Sequence, residues 1–97
     1  MLKHVVLMEF KKDAPVDCAQ EVIAALKALP NLIPEIERLE VGIDTVGDPR
    51  CLDLGLIVRV ADKEALQRYN DHHSHQRVVA ECIRPYLERA FVVDFEF

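Results

Sequence analysis

The chain has 97 residues, a length that suits a single domain with one hydrophobic core. Its formal net charge is −5 and its 12 basic residues are scattered, which argues against a nucleic-acid-binding protein, whose basic side chains gather on one face. Hydrophobic residues make up 51% of the chain, a high share for so small a body. We therefore predict that a second copy covers part of the apolar surface in a homodimer.

The cysteines and the hydropathy predict where the protein resides. Cys18, Cys51 and Cys82 are widely spaced and match neither a disulfide framework nor a pair of metal-binding knuckles, so we interpret them as small hydrophobic residues. The sequence opens without a basic leader, and no apolar run approaches the ~18 residues that a membrane span needs. We expect a cytoplasmic protein that does not associate with membranes.

The first half of the chain predicts a strand, a helix and two further strands. Residues Leu2–Phe10 alternate with a period of two, yet both faces are apolar at the centre, as in a strand covered on both sides. Apolar residues then recur at steps of three and four over Val16–Leu29, which predicts an amphipathic helix that Pro30 ends. The alternating segments Glu37–Ile43 and Leu52–Val60 flank a turn rich in Asp, Gly and Pro, so they form an antiparallel pair.

The second half predicts two helices and a closing strand. Asp62 can cap a short helix, and Ser74 can cap a second, longer one. The apolar stripe of that second helix runs over Val78–Leu87, and Pro85 within it removes one backbone hydrogen bond, so we expect a kink. Alternation over Phe91–Phe97 predicts the last strand.

The order β-α-β-β-α-β with short links predicts the α+β class and one ferredoxin-like domain over residues 1–97. In this fold a four-stranded antiparallel sheet carries its helices on one face. The other face would be too apolar for water, notably on the first and last strands. We predict that two such sheets pair face to face in the homodimer.

A dense histidine stretch, Tyr69–His75, holds three of the four histidines and one of the two tyrosines. No complete metal, nucleotide or nucleophile signature stands elsewhere, so a chemical site is expected here. An imidazole takes up a proton near neutral pH, which makes His75 a candidate general base, and Tyr69 could donate a hydrogen bond to a developing oxyanion. Alternatively, His75 bonds to backbone at a helix start and Tyr69 is an amphipathic core residue.

Four further residues are candidates for contact with a substrate. His4 shares a strand face with Val6 and Met8, so its ring is either a hydrogen-bonded core group or part of a pocket. His72 either joins these three in binding the substrate or supports its loop through hydrogen bonds. We predict that His4, Val6, Met8 and His72 contact the same small molecule as Tyr69 and His75.

The histidine cluster and the remaining polar residues have alternative interpretations. The clustered histidines are metal-ligand types, but adjacent residues point in different directions, so neither a metal nor another cofactor is expected. Asp94 either orients a histidine, pairs with a basic side chain across the dimer, or lies at the sheet edge. Arg59 and Arg84 are expected to be solvated rather than to bind an anion.

Four segments carry a resemblance to known proteins: Lys3–Phe10, Leu39–Gly42, Tyr69 with His72–Gln76, and Val92–Phe95. Together they resemble the stress-responsive dimeric α/β-barrel (Dabb) family, and the resemblance runs across nearly the whole chain. It implies a homodimer whose two sheets close into a barrel, with a cleft between sheet and helices in each subunit. The family usually has His-Pro-x-His, and His73 stands here in place of the proline.

The resemblance implies less about activity, because most bacterial members have no assigned reaction. A plant member, olivetolic acid cyclase, closes a linear polyketide thioester by aldol condensation without a cofactor. Its histidine base and its tyrosine correspond to His75 and Tyr69, and its strand-one histidine corresponds to His4. We expect a protein that binds a small apolar molecule in the sheet–helix cleft. The alternatives are a cofactor-free lyase or cyclase with His75 as base and Tyr69 as hydrogen-bond donor, and a structural dimer without a ligand.

Overall fold

A computed structural model describes residues 1–97 and contains four strands and three α-helices. The strands are β1 (Leu2–Phe10), β2 (Arg38–Ile43), β3 (Leu54–Val60) and β4 (Leu87–Glu96); the helices are α1 (Cys18–Ala28), α2 (Lys63–Asp71) and α3 (His73–Val78). The strands form one antiparallel sheet in the order β2-β3-β1-β4. The predicted α+β, ferredoxin-like architecture is confirmed. None of the helices combines the length and apolarity needed to cross a membrane.

The core lies between the sheet and the helices, and all 16 of its buried residues are hydrophobic. In α1 the buried residues Cys18, Val22 and Leu26 recur every fourth position, which places them on one side of the helix. In α2 the same spacing buries Ala65 and Tyr69. Each large apolar side chain that leaves water in this way contributes about 1.5–3 kcal/mol to stability. This packing fixes the helices on one face of the sheet.

The two first helices begin differently. The carboxylate of Asp62 accepts a hydrogen bond from the backbone N–H of Ala65 at 2.8 Å, so the predicted cap of α2 is present. Helix α1 begins at Cys18, later than predicted, and its N-cap residue Asp17 makes no side-chain capping bond. Val16, predicted to lie in the helix, is fully exposed ahead of it.

The last helix departs from prediction at its start. His72, not Ser74, caps α3, because the backbone N–H of Ser74 donates to His72 Nδ1 at 3.1 Å. Ser74 is itself a helical residue, and its N–H is one of the first N–H groups, which have no partner within the helix.

The end of that helix also departs from prediction. After α3 the backbone widens into a π-turn, Val79–Ile83, and then tightens into a 3-10 turn, Arg84–Tyr86. Pro85 has no N–H and its ring excludes the carbonyl four residues earlier, which explains the loss of α-geometry. Strand β4 then begins at Leu87, four residues before the predicted Phe91, and Leu87 pairs with Phe10.

The face of the sheet opposite the helices is uncovered. Leu7, Phe91, Val93 and Phe95 lie there with 44–56% of their surfaces exposed. We call this surface the open face. So contiguous an apolar surface is unusual on a monomer and indicates a binding surface.

Candidate functional site

A cavity of about 200 Å³ lies between the helix-covered face of the sheet and the segment from α2 to the π-turn. Of the predicted site residues, five meet here and one, His72, does not. Eight of the eleven lining residues are hydrophobic. The lining consists of His4, Val6, Met8, Leu26, Leu56, Tyr69, Asn70, His75, Val79, Ile83 and Val92.

Local geometry explains why Tyr69 and His75 meet. Helix α2 ends at Asp71, and His72 adopts an extended conformation with φ −63° and ψ 135° that redirects the chain into α3. His75 therefore folds back against Tyr69, and the two ring centroids are 4.5 Å apart. His4 points from β1 toward the same place, with its ring centroid 6.0 Å from that of Tyr69.

His75 is held in one tautomer by the backbone. Its Nδ1 lies 3.0 Å from the carbonyl oxygen of Asn70, and a carbonyl can only accept, so Nδ1 carries the hydrogen. In the neutral ring the lone pair is then on Nε2. Burial lowers the pKa of His75, and the nearby charges of His4 and His72 lower it further, against the opposing effect of the Asn70 bond. The ring is therefore neutral at pH 7 and can accept a proton at Nε2.

Tyr69 supplies a protonated hydroxyl next to this base. Its side chain is fully buried, and burial raises the pKa of its phenol to about 12. A phenol with this pKa stays protonated throughout the physiological range, so it can donate a hydrogen bond to an oxygen that gains negative charge. Tyr69 and His75 thus form a donor and acceptor pair at one wall of the cavity.

His4 is oriented by Asp94. The two residues lie directly opposite each other on β1 and β4, and Asp94 Oδ1 accepts a hydrogen bond from His4 Nδ1 at 2.5 Å. His4 lines the cavity with a side chain that is 12% exposed, whereas Asp94, 38% exposed, lies outside the lining. Of the three roles weighed for Asp94, the geometry supports the orientation of a histidine.

His72, a predicted substrate-binding residue, does not line the cavity. Its Nδ1 accepts the Ser74 N–H, and its ring stacks on His73 with 4.5 Å between centroids. Both features hold it at the start of α3, outside the cavity lining. These contacts favour the second of the two alternatives, support of the loop. No group of three or more His, Cys, Asp or Glu side chains is arranged to hold a metal ion.

Two much larger surface hollows lack such chemistry. One of about 880 Å³ lies beside the link from β1 to α1, and half of its 14 lining residues are charged. Another of about 560 Å³ lies on the open face between β2 and β3. Neither contains a histidine or a tyrosine, so the small cavity is the better candidate despite its size.

Sequence reasoning missed six of the eleven lining residues, including Asn70 and Val92. Asn70 acts through its backbone carbonyl, which no side-chain pattern can reveal. Val92 lines the cavity because it lies on the same face of β4 as Asp94. Pairing the predicted first and last strands in register would have identified Val92.

Comparisons with known proteins agree with this architecture. The family model described as Stress responsive A/B Barrel Domain matches residues 2–97. No curated protein matches the sequence. A dimeric ferredoxin-like protein of unknown function from Thermobifida fusca is 26% identical with a TM-score of 0.89, over 99% of this chain and 90% of that one.

Two further solved structures show the same fold. A Dabb family protein with a ferredoxin-like fold from Mesorhizobium loti is 21% identical with a TM-score of 0.81, over 98% of this chain and 94% of that one. Hydroxynitrile lyase from Passiflora edulis is 15% identical with a TM-score of 0.84, over 97% and 90% of the two chains. Because the family model spans nearly the whole sequence, the chain belongs to the stress-responsive A/B barrel domain (Dabb) family.

Proposed function

We propose that the protein is a homodimer that binds a small, largely apolar molecule in the cavity bordered by His4, Tyr69 and His75. The observation that carries this proposal is a mostly hydrophobic lining with one fixed donor and acceptor pair. An apolar cavity of about 150 Å³ can hold benzene, so about 200 Å³ suits a ligand of roughly ten non-hydrogen atoms. A carbonyl or hydroxyl group on that ligand would reach Tyr69 and His75.

The open face supports the homodimer. Its exposed aromatic and branched side chains form the type of apolar patch that a second sheet covers. The Thermobifida fusca protein, which is dimeric, supports the same assembly at 26% identity. The cavity lies on the opposite face of the sheet, so pairing of two open faces would leave it in place.

A second candidate function is a cofactor-free lyase or cyclase of the aldol type, and the tautomer of His75 favours it. His75 Nε2 would remove a proton from the carbon next to a carbonyl, and the electrons of that C–H bond would form an enolate. The enolate oxygen would accept a hydrogen bond from the hydroxyl of Tyr69. The enolate carbon would then attack a second carbonyl, forming a C–C bond, and the protonated His75 would return its proton to the new alkoxide.

Two observations bear on this second candidate. Hydroxynitrile lyase from Passiflora edulis has the same fold, and at 15% identity it supports the fold alone. The cavity is smaller than the roughly 300–1,000 Å³ of pockets for drug-sized ligands. A compact substrate therefore fits it better than a long linear polyketide thioester.

A fragment screen by protein-detected NMR tests the proposal. It would compare the wild type with His75→Ala and Tyr69→Phe, with His73→Ala as the control because His73 is exposed and lies outside the cavity. Small apolar carbonyl compounds should shift resonances of cavity residues in the wild type and the control. Binding without turnover in any variant supports the ligand-binding function. Turnover that is lost only in the two cavity variants supports catalysis. The absence of binding by every fragment would contradict both and favour a structural dimer.

A further inference from the structure

Three basic residues lie in one row across the open face. The register of the sheet places Lys3 opposite Arg59 on β1 and β3, and Arg59 opposite Arg38 on β3 and β2. Like charges directly opposite each other in a sheet are destabilising. This concentration of positive charge is unexpected in a chain whose net charge is −5. We call these residues the basic row.

The chain does not supply enough negative charge to balance the row. The only ion pair of the basic row joins Arg38 Nε to Glu40 Oε2 at 3.8 Å, so a single carboxylate serves three cations. The Lys3 ammonium lies over the ring of Phe97, 4.7 Å from its centroid. Arg59 Nε has no partner at all, and it is the only buried side-chain nitrogen or oxygen atom in the structure without one. The expectation that Arg59 is solvated is therefore wrong for this atom.

A notch of about 110 Å³ opens among these side chains, with Ile57 and Glu40 completing its walls. Since water occupies about 30 Å³ per molecule in the liquid, this space suits one tetrahedral or planar oxyanion. The guanidinium group presents its donors in a fork that matches carboxylate and phosphate oxygens. Buried donors normally have an acceptor, and Nε of Arg59, whose side chain lines this notch, has none.

We propose that the basic row binds an oxyanion of the phosphate or carboxylate class, with Arg59 as its central ligand. Because the row lies on the open face, the oxyanion comes either from solution or from a side-chain carboxylate of a second copy. Either source would remove the repulsion within the row and satisfy Arg59 Nε. The proposal is independent of what binds in the cavity on the other face.

Thermal unfolding in inorganic phosphate and in chloride, at equal ionic strength and protein concentration, tests the proposal. The comparison uses the wild type, Arg59→Met, and Arg84→Met as control, because Arg84 is exposed and lies outside the row. If the anion is free, phosphate should raise the midpoint of the wild type and of Arg84→Met by several degrees and leave Arg59→Met unchanged. Arg38→Met is the second variant in case Arg59→Met does not fold.

Sedimentation tests whether the oxyanion is a carboxylate of the second copy. If the oxyanion is a carboxylate of the second copy, phosphate has no specific effect, but Arg59→Met raises the dimer dissociation constant by roughly tenfold or more while Arg84→Met does not. The proposal is overturned if phosphate acts equally on wild type and Arg59→Met. It is also overturned if phosphate has no effect and the dimer dissociation constant stays unchanged.

Discussion

The helix-covered face and the open face of the sheet differ in how their polar groups are satisfied. On the covered face the two histidines of the cavity find partners within the chain, His4 on Asp94 and His75 on the Asn70 carbonyl. On the open face the aromatic side chains of β4 are half-exposed, and Arg59 Nε on β3 has no partner. The covered face is thus complete in one copy, whereas the open face depends on something outside the chain.

The largest expected effect comes from breaking the covered face at Tyr69. Removing this fully buried ring by Tyr69→Ala should lower the free energy of unfolding by about 3–5 kcal/mol, because it leaves a cavity in the core. Tyr69→Phe keeps the ring and should lose far less. Urea denaturation at one protein concentration measures both. Equal losses in the two variants would show that the ring does not support the core.

Charge placed on the open face should break the dimer instead. Val93→Asp buries two carboxylates in a pair of apposed sheets, so we expect the dimer dissociation constant to rise by roughly 100-fold or more. Val16→Asp is the control, because Val16 is fully exposed ahead of α1. Analytical ultracentrifugation measures the constant. An unchanged dimer in Val93→Asp would place the interface elsewhere.

The pH dependence of stability sharpens the comparison on the covered face. Burial holds the pKa of His75 below 6.5, its value in the unfolded chain. As pH falls from 6.5 toward the lower pKa of the folded state, the unfolded chain binds more protons, so the free energy of unfolding decreases. Above pH 6.5 this contribution is constant.

Urea midpoints between pH 5 and 7.5 measure this effect. His75→Gln should lose this part of the pH dependence, and His73→Gln, from the exposed neighbour of the stretch, should keep it. Identical pH profiles in all three proteins would show that His75 is not buried as described.

The smallest expected effect concerns the helix that carries Tyr69. Asp62→Ala removes the hydrogen bond to the Ala65 N–H and should cost about 1 kcal/mol. Asp17→Ala is a matched control, because Asp17 occupies the same position in α1 without a side-chain capping bond. Thermal or urea unfolding distinguishes the two. A loss as large in Asp17→Ala would contradict the capping geometry.

Periodicity sufficed to predict most of the fold, and it failed where local propensity opposes tertiary pairing. Residues Leu87–Ala90 are Leu, Glu, Arg and Ala, which are among the best helix formers, so the sequence favours a longer last helix there. Pairing with β1 overrides that preference and makes them the start of β4. Pro85 predicted an irregular helix end correctly, but it did not predict the π-turn followed by a 3-10 turn.

The candidate site was predictable where side-chain type decides, and not where geometry decides. The histidine stretch and the alternation of β1 predicted that His4, Tyr69 and His75 lie close together, and all three line the cavity. The capping role of His72 and the unpartnered Arg59 depend on exact register and backbone direction. A one-dimensional pattern contains neither.

The tautomer of His75 is the most direct test of whether the covered face provides a general base. Long-range ¹H–¹⁵N NMR spectra at pH 7.5, assigned by comparison with His75→Gln, report which ring nitrogen carries hydrogen. We expect a neutral ring protonated at Nδ1, with Nε2 free to accept a proton. A ring protonated at Nε2 alone, or at both nitrogens, would contradict the proposed base.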